Sequence, residues 1–307
     1  MNKKIMITGA NSGLGLETAR QLALLNETEK IFLACRNQSK ATAAKNELEK
    51  ETQRNIFEIV LMDVSSPESV RIAVQQLNEP IDALIMNAGG TGGKTPNKLT
   101  KEGVTQLFAS NVIGHVVLVN ELIKYNKLNN VALYASSEAV RGVKKMGMKP
   151  PQLNTSSVNE FVSVFNGSFF GNKFDAMEAY GYIKYSATLW MASQARKHPH
   201  IRFVSMSPGA TSGTAVMNDL PPVQKFLFKY VGFPVLMPLM GMVHKVEKGA
   251  KRYVNGINDD SFKSGLFYAS KANQVVGPVV EQSDLFPDLT NELIQDNAYE
   301  AIHHFIN

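Results

Sequence analysis

Tyr180 and Lys184 stand four residues apart in "EAYGYIKYSA" (178–187), and of the nine tyrosines only Tyr180 has a lysine at that distance. On a helix, residues i and i+4 share a face, so a phenol and an ammonium at this spacing can serve one site. A free phenol titrates near pH 10 and is a poor base at neutral pH. A neighbouring ammonium stabilises the phenolate and lowers that value, which suits proton transfer at a substrate oxygen. Tyr182 and Tyr185 fall off that face and read as packing. The spacing alone is common in a chain with many lysines, so its register among the surrounding elements carries the weight.

A second group of residues suits an anion. "TGANSGLG" holds Gly9, Gly13 and Gly15, with Asn11, Ser12 and Leu14 between them. Glycines let the backbone approach a pyrophosphate, and the unpaired N–H groups of the helix that follows attract its charge. The spacing is Gly-x-x-x-Gly-x-Gly, placed directly after an apolar run and opening a helix, as a dinucleotide turn requires. About 20 residues on, "LACRN" offers Cys35 and Arg36 where an NAD site carries an acid for the ribose 2′-hydroxyl. A guanidinium pairs with a 2′-phosphate through two hydrogen bonds, so NADP(H) is the expected cofactor. Stacking of Arg36 on the adenine, or a surface ion pair, is the alternative.

The elements that must position these residues follow from periodicity. "KIMIT" (4–8), "IFLAC" (31–35), "FEIVLM" (57–62), "IDALIM" (81–86), "NVALYAS" (130–136) and "IRFVSMS" (201–207) read as buried strands. Helical patterns alternate with them; in "SPESVRIAVQQL", Ser66 can cap and Pro67 can take the first helical position. This alternation predicts an α/β fold, Rossmann-type and doubly wound, with a mostly parallel sheet of about seven strands and helices on both faces. "SGLFYAS" (264–270) supplies the seventh strand and a helix near 287–306 closes the chain. A single domain over 1–307 is expected, with an irregular insertion near 141–177 and a substrate-lid region near 211–245.

In that register the residues resemble the short-chain dehydrogenase/reductase family over most of the chain. "TGANSGLG" matches its cofactor turn, and "MDV" puts Asp63, followed by Val64, beside the adenine. "NAG" (Asn87, Ala88, Gly89) closes the fourth strand, and "FASNVIG" supplies Asn111 in the next helix. "YASSEA" ends the fifth strand with Ser136 and Ser137, and "SPG" ends the sixth with Pro208 and Gly209. The resemblance implies that Tyr180 is the general acid/base, that Ser137 holds the substrate oxygen and that Lys184 also binds the nicotinamide ribose. Asn111 would position a water in a proton relay, and Thr211 or Thr214 would meet the nicotinamide carboxamide. "ACRN" and "KSGLFYAS" resemble the branch of retinol dehydrogenases and protochlorophyllide reductases. Pigment reductases are thought to use an active-site cysteine, whereas Cys35 lies beside the cofactor turn, so pigment reduction is not expected.

Two features depart from the family. Ile183 stands where relatives often carry serine, and Ser137 and Tyr180 are separated by 43 positions. The added segment, with "KKMGMKPPQLNTSS", must loop out and return Tyr180 to the pocket, and a long loop of this kind suits the substrate mouth. "FLFKYVGFPVLMPLMGMV" (226–243) admits three readings: core, a mobile apolar lid over a hydrophobic substrate, or shallow membrane contact.

Composition excludes other classes. A net charge of +5 and 44% hydrophobic residues describe a globular chain with a mildly basic surface. No dense Lys/Arg run interleaves with aromatics, so nucleic acid is not an expected partner. One cysteine rules out an intramolecular disulfide and a Cys-rich zinc site, and the six histidines show no HExxH spacing. The apolar run after "MNKK" is too short for a signal peptide, and a reduced cytoplasmic setting is expected. The reading is an NADP(H)-dependent enzyme acting on a small-molecule carbonyl/alcohol pair, possible as a homo-oligomer. The rival is an NADP(H)-binding regulator that performs no turnover.

Overall fold

In the computed structural model, residues 2–212 and 243–306 are described. Eight strands run β1 (Lys4–Thr8), β2 (Lys30–Cys35), β3 (Phe57–Leu61), β4 (Ile81–Met86), β5 (Leu128–Ala135), β6 (Arg202–Met206), β7 (Phe267–Ser270) and β8 (Val279–Glu281). They form one sheet in the order β3-β2-β1-β4-β5-β6-β7-β8. Every pairing is parallel except β7–β8, which is antiparallel. The strand order reverses between β1 and β4, and the crevice above such a switch point is where open α/β sheets bind ligands.

The sequence reading of an α/β doubly wound sheet holds, with one strand added. β8 is three residues long and half-buried, too short to leave a periodic signal. β1 shows why the other strands are legible: Met6 enters the core on one face of the sheet, and Ile5 and Ile7 enter the core on the other. A strand buried on both faces must be apolar at every position.

Helices α1 (Gly13–Ala23), α2 (Gln38–Thr52), α3 (Pro67–Gln76) and α4 (Gln106–Lys124) follow the first four strands. Ser66 accepts a hydrogen bond from the Ser69 N–H with Pro67 at the first helical position, as expected. α4 contains a π-helical turn at Ala109–Ile113. It is long and apolar enough to cross a membrane (mean hydropathy 1.3), yet Val116, Leu118 and Leu122 are fully buried in the protein core, as in the central helix of a sheet-covering layer.

The segment 141–177 is more structured than a loop. It holds α5 (Val158–Phe165), followed by a 3-10 turn at Ser168–Lys173. Ser157 caps the Glu160 N–H, and the Glu160 carboxylate accepts from the N–H groups of Asn154, Thr155 and Ser156. "SVNE" is thus a capping sequence that marks this helix start. Phe161 and Phe165 are fully buried, and Phe165 stacks on Phe108 of α4 at 4.0 Å. The long α6 (Ala176–Lys197) carries Tyr180 and Lys184; α5 and the C-terminal α8 (Glu292–His303) pack against it. α7 (Val246–Asn258) covers the other face beside α1. Thr214 and the run 226–242 lie outside the described residues, and with them most of the expected lid.

If α5 is core, shortening Phe165 must cost what a buried aromatic costs. Phe165→Ala is expected to lower stability by about 3–5 kcal/mol, read as a reduced denaturant midpoint. A loss below about 1 kcal/mol would return the segment to the status of a surface loop.

Candidate functional site

The glycine turn between β1 and α1 is built for close approach. Gly9 adopts φ +66°, a conformation that disfavours side chains. A Cβ at Gly15 would stand 2.4 Å from the Gly9 carbonyl oxygen. Ser12 caps α1 in position without a side-chain capping bond, and the first turn of α1 holds no acid to repel an anion. Asn11 and Leu14 complete the turn, half-buried. The Asn87 side-chain amide donates to the Thr8 carbonyl at 2.9 Å, and the Ala88 N–H donates to Thr8 Oγ1 at 2.9 Å, tying the end of β4 to this turn. Donors, space and charge fit a dinucleotide pyrophosphate here.

Further along the crevice, Arg36 is exposed at the end of β2, and no carboxylate among the described residues pairs with it. Asp63 accepts from Ser65 N–H and Oγ, which fixes the turn after β3, with Val64 beside it. A Cβ at Gly89 (φ +153°) would stand 2.5 Å from Asn111 Oδ1 and 3.7 Å from Lys184 Nζ, so only glycine fits between them. On the β6 side, Gly209 N–H donates to Ser207 Oγ and Thr211 Oγ1 donates to the Gly209 carbonyl. Pro208 O meets His244 Nε2 at 2.7 Å.

The paired serines separate in role. Ser136 is buried, with its hydroxyl 2.8 Å from Thr188 Oγ1 of α6. Ser137 is near enough to the Tyr180 phenol to draw its pKa down. Tyr182 donates to the Gln152 carbonyl and Tyr185 to Asp288, so both pack as expected.

Lys184 is 3% exposed. Its ammonium donates to the Ala135 carbonyl at 2.8 Å and to the Tyr134 hydroxyl at 3.2 Å, and lies 5.4 Å from the Tyr180 ring centroid. Burial pulls Lys184 down to about 7. The expected lowering of Tyr180 is not what the protein alone produces. Burial pushes the phenol up to about 12; the Ser137 hydrogen bond pulls it down and the Glu138 carboxylate pushes it up. Desolvation outweighs the Ser137 hydroxyl here. Tyr180 is therefore a protonated phenol at neutral pH, set to donate.

Asn111 of α4 is fully buried. Its side chain is committed to Gly90, accepting from the N–H at 3.1 Å and donating to the carbonyl at 2.8 Å, and it donates again to the Leu107 carbonyl. Its own carbonyl accepts from Tyr134 Oη and from His115 Nδ1.

Residues without a role in the sequence reading complete the site. Glu138, buried, accepts from Ser270 Oγ at 3.0 Å and hydrogen-bonds Ser207 Oγ. Arg252 of α7 lies 3.6 Å from the same carboxylate and also donates to the Ser207 and Gly277 carbonyls. This pair holds the ends of β5, β6 and β7 in fixed relation beside Ser137. Cys35, buried under the glycine turn, has its thiol pushed up to about 11 by burial.

The short chain dehydrogenase family matches residues 3–147. Dehydrogenase/reductase SDR family member 12 of Bos taurus is 31% identical over 222 residues, covering 71% of this chain and 64% of the relative. The chain thus spans under two thirds of that relative's length. Protochlorophyllide reductase B of Hordeum vulgare is 28% identical over 290 residues, 87% of this chain and 70% of the relative. Among solved structures, the L-sorbose reductase of Gluconobacter frateurii bound to NADPH and L-sorbose superposes with a TM-score of 0.64 at 18% identity, over 90% of this chain and 97% of that one.

Removing the Glu138 carboxylate leaves the Arg252 guanidinium buried beside neutral acceptors alone. Glu138→Ala is expected to cost about 3 kcal/mol or more in a urea titration, whereas Glu138→Ala at wild-type stability would show the pair to be decorative.

Proposed function

We propose that this chain, which belongs to the short-chain dehydrogenase/reductase family, is an NADP(H)-dependent oxidoreductase that reduces the carbonyl group of a small, fairly apolar molecule. One observation carries the reading. The Tyr180 phenol, with Ser137 beside it, shares a helix face with Lys184, and that ammonium lies beside Gly89 near the sheet's switch point.

Gly9, Asn11, Ser12, Gly13, Leu14 and Gly15 would hold the pyrophosphate of a dinucleotide, Asp63 and Val64 its adenine, and Asn87, Ala88 and Gly89 its nicotinamide ribose. Arg36 would take the 2′-phosphate; its exposure and its lack of a carboxylate partner among the described residues support that role. Pro208, Gly209 and Thr211 border the nicotinamide end. When bound, such a cofactor supplies the hydride.

The chain's own residues do the rest. Ser137 and Tyr180 hold the carbonyl oxygen from two sides. As the carbonyl carbon gains the hydride, its oxygen takes the Tyr180 proton, giving an alcohol and a phenolate. Lys184 stabilises that phenolate and binds the ribose. Burial keeps the phenol in its acid form at neutral pH, the form that donates to a carbonyl oxygen. The apolar character of the substrate rests on the sequence at 226–243.

Purified protein with NADPH and a panel of carbonyl compounds is expected to turn over, and Tyr180→Phe to lose on the order of 100- to 10,000-fold in kcat while retaining NADPH binding. Tight NADPH binding with no turnover, untouched by Tyr180→Phe, would identify the regulator instead. Arg36→Ala is expected to weaken NADPH by roughly ten-fold, the effect of losing a charge-assisted pair, and to leave NADH nearly unchanged; equal losses for both would remove Arg36 from the 2′-phosphate.

A further inference from the structure

Tyr134 of β5, the first residue of "YASSEA", is 1% exposed and has no role in the sequence reading. It would pass for a core aromatic, yet its hydroxyl stands between two groups of the site. It lies 3.2 Å from Lys184 Nζ and 3.3 Å from the Asn111 carbonyl oxygen. The Lys184 ammonium also lies 4.6 Å from the Tyr134 ring centroid.

The polarity of these contacts is forced. A carbonyl oxygen only accepts, so Tyr134 donates to Asn111 and its oxygen is left to accept from Lys184. The second lone pair of the same carbonyl takes the His115 Nδ1 proton at 3.0 Å. His115 Nε2 therefore accepts from Thr8 Oγ1, whose oxygen accepts in turn from the Ala88 N–H. The π-helical turn at Ala109–Ile113 is what displaces the helix's own hydrogen bonds and offers the Asn111 carbonyl to side chains.

Resting on the reading above, in which Lys184 serves Tyr180 and the cofactor ribose, we infer that Tyr134 is a positioning residue for Lys184. Its phenol bridges the ammonium and the Asn111 carbonyl, so two of the ammonium N–H groups are fixed, one on Tyr134 and one on the Ala135 carbonyl.

The groups facing Lys184 are few. His115 from α4 is held neutral, pulled down to about 4 by burial and then by Lys184 itself. Tyr134 comes from β5 and Tyr180 from α6; Glu138 acts on Tyr180, and Tyr253 of α7 is coupled to it. No carboxylate among the described residues pairs with the ammonium. The Tyr134 oxygen is thus one of only two hydrogen-bond acceptors holding the charged form, and its loss must favour the neutral amine.

Tyr134→Phe in the full chain tests this with a readout that does not need turnover: NADPH binding by fluorescence across pH. The alkaline midpoint of binding is expected to move down by about one pH unit, and kcat at neutral pH to fall on the order of ten-fold. In a Lys184→Met background the same Tyr134→Phe change is expected to leave NADPH affinity unchanged. A purely structural Tyr134 would lower the melting temperature, keep the midpoint where it was and act equally in both backgrounds; each of those results overturns the inference. A wild type that binds NADPH but reduces no carbonyl overturns the reduction reading alone, and one that binds no dinucleotide overturns both. A Tyr134→Phe chain that does not fold counts against the inference, since the hydroxyl would then be a requirement of the fold.

Discussion

An ammonium held almost wholly out of water is the constraint on which the rest of the site depends. Lys184 is surrounded by β5, α4 and α6, and desolvation drives it towards the neutral amine. The protein offsets this with the Tyr134 hydroxyl, the Ala135 carbonyl and two aromatic faces. These favour the charged form without neutralising it, as a carboxylate would. The same burial acts with opposite sign on Tyr180, keeping the phenol protonated. Lys184 is thereby held close to exchange at neutral pH while Tyr180 stays protonated, and a charge entering the crevice acts on both in a medium that screens it little.

Such a lysine needs rigid surroundings, and the sheet provides them. Lys184 reaches down from α6 onto β5, whose end is clamped by Glu138 and Arg252 to the ends of β6 and β7. On the other side, Thr8 and Asn87 join β1 to β4, and His115 joins β1 to α4. The dinucleotide turn and the Tyr–Lys helix are therefore linked through hydrogen bonds across the switch point, with no exposed loop between them.

The insertion between Ser137 and Tyr180 serves the scaffold as well as the surface. Phe161 and Phe165 of α5 fill space between α4, α6 and the C-terminal end, and Tyr185 of α6 contacts Phe161 at 6.3 Å between ring centroids. α6 is consequently packed along most of its length, which fixes the axial position of Tyr180 and Lys184. The added segment, a long loop in the sequence reading, is in part an added piece of core.

The amino-acid sequence by itself determined the alternation of strands and helices, the dinucleotide turn, and the pairing of Tyr180 with Lys184. Each of these is a local pattern: a doubly buried strand must be apolar throughout, a pyrophosphate turn needs glycine, and i,i+4 residues share a face. Tertiary structure alone decided what fills the space between Lys184 and Asn111, and the sign of the Tyr180 shift. Tyr134 touches Lys184 across 50 positions, and Glu138 touches Ser270 across 132. No spacing rule connects such residues. In one dimension a buried tyrosine reads as core, and burial, which sets the charge states here, exists only once the chain has closed around them.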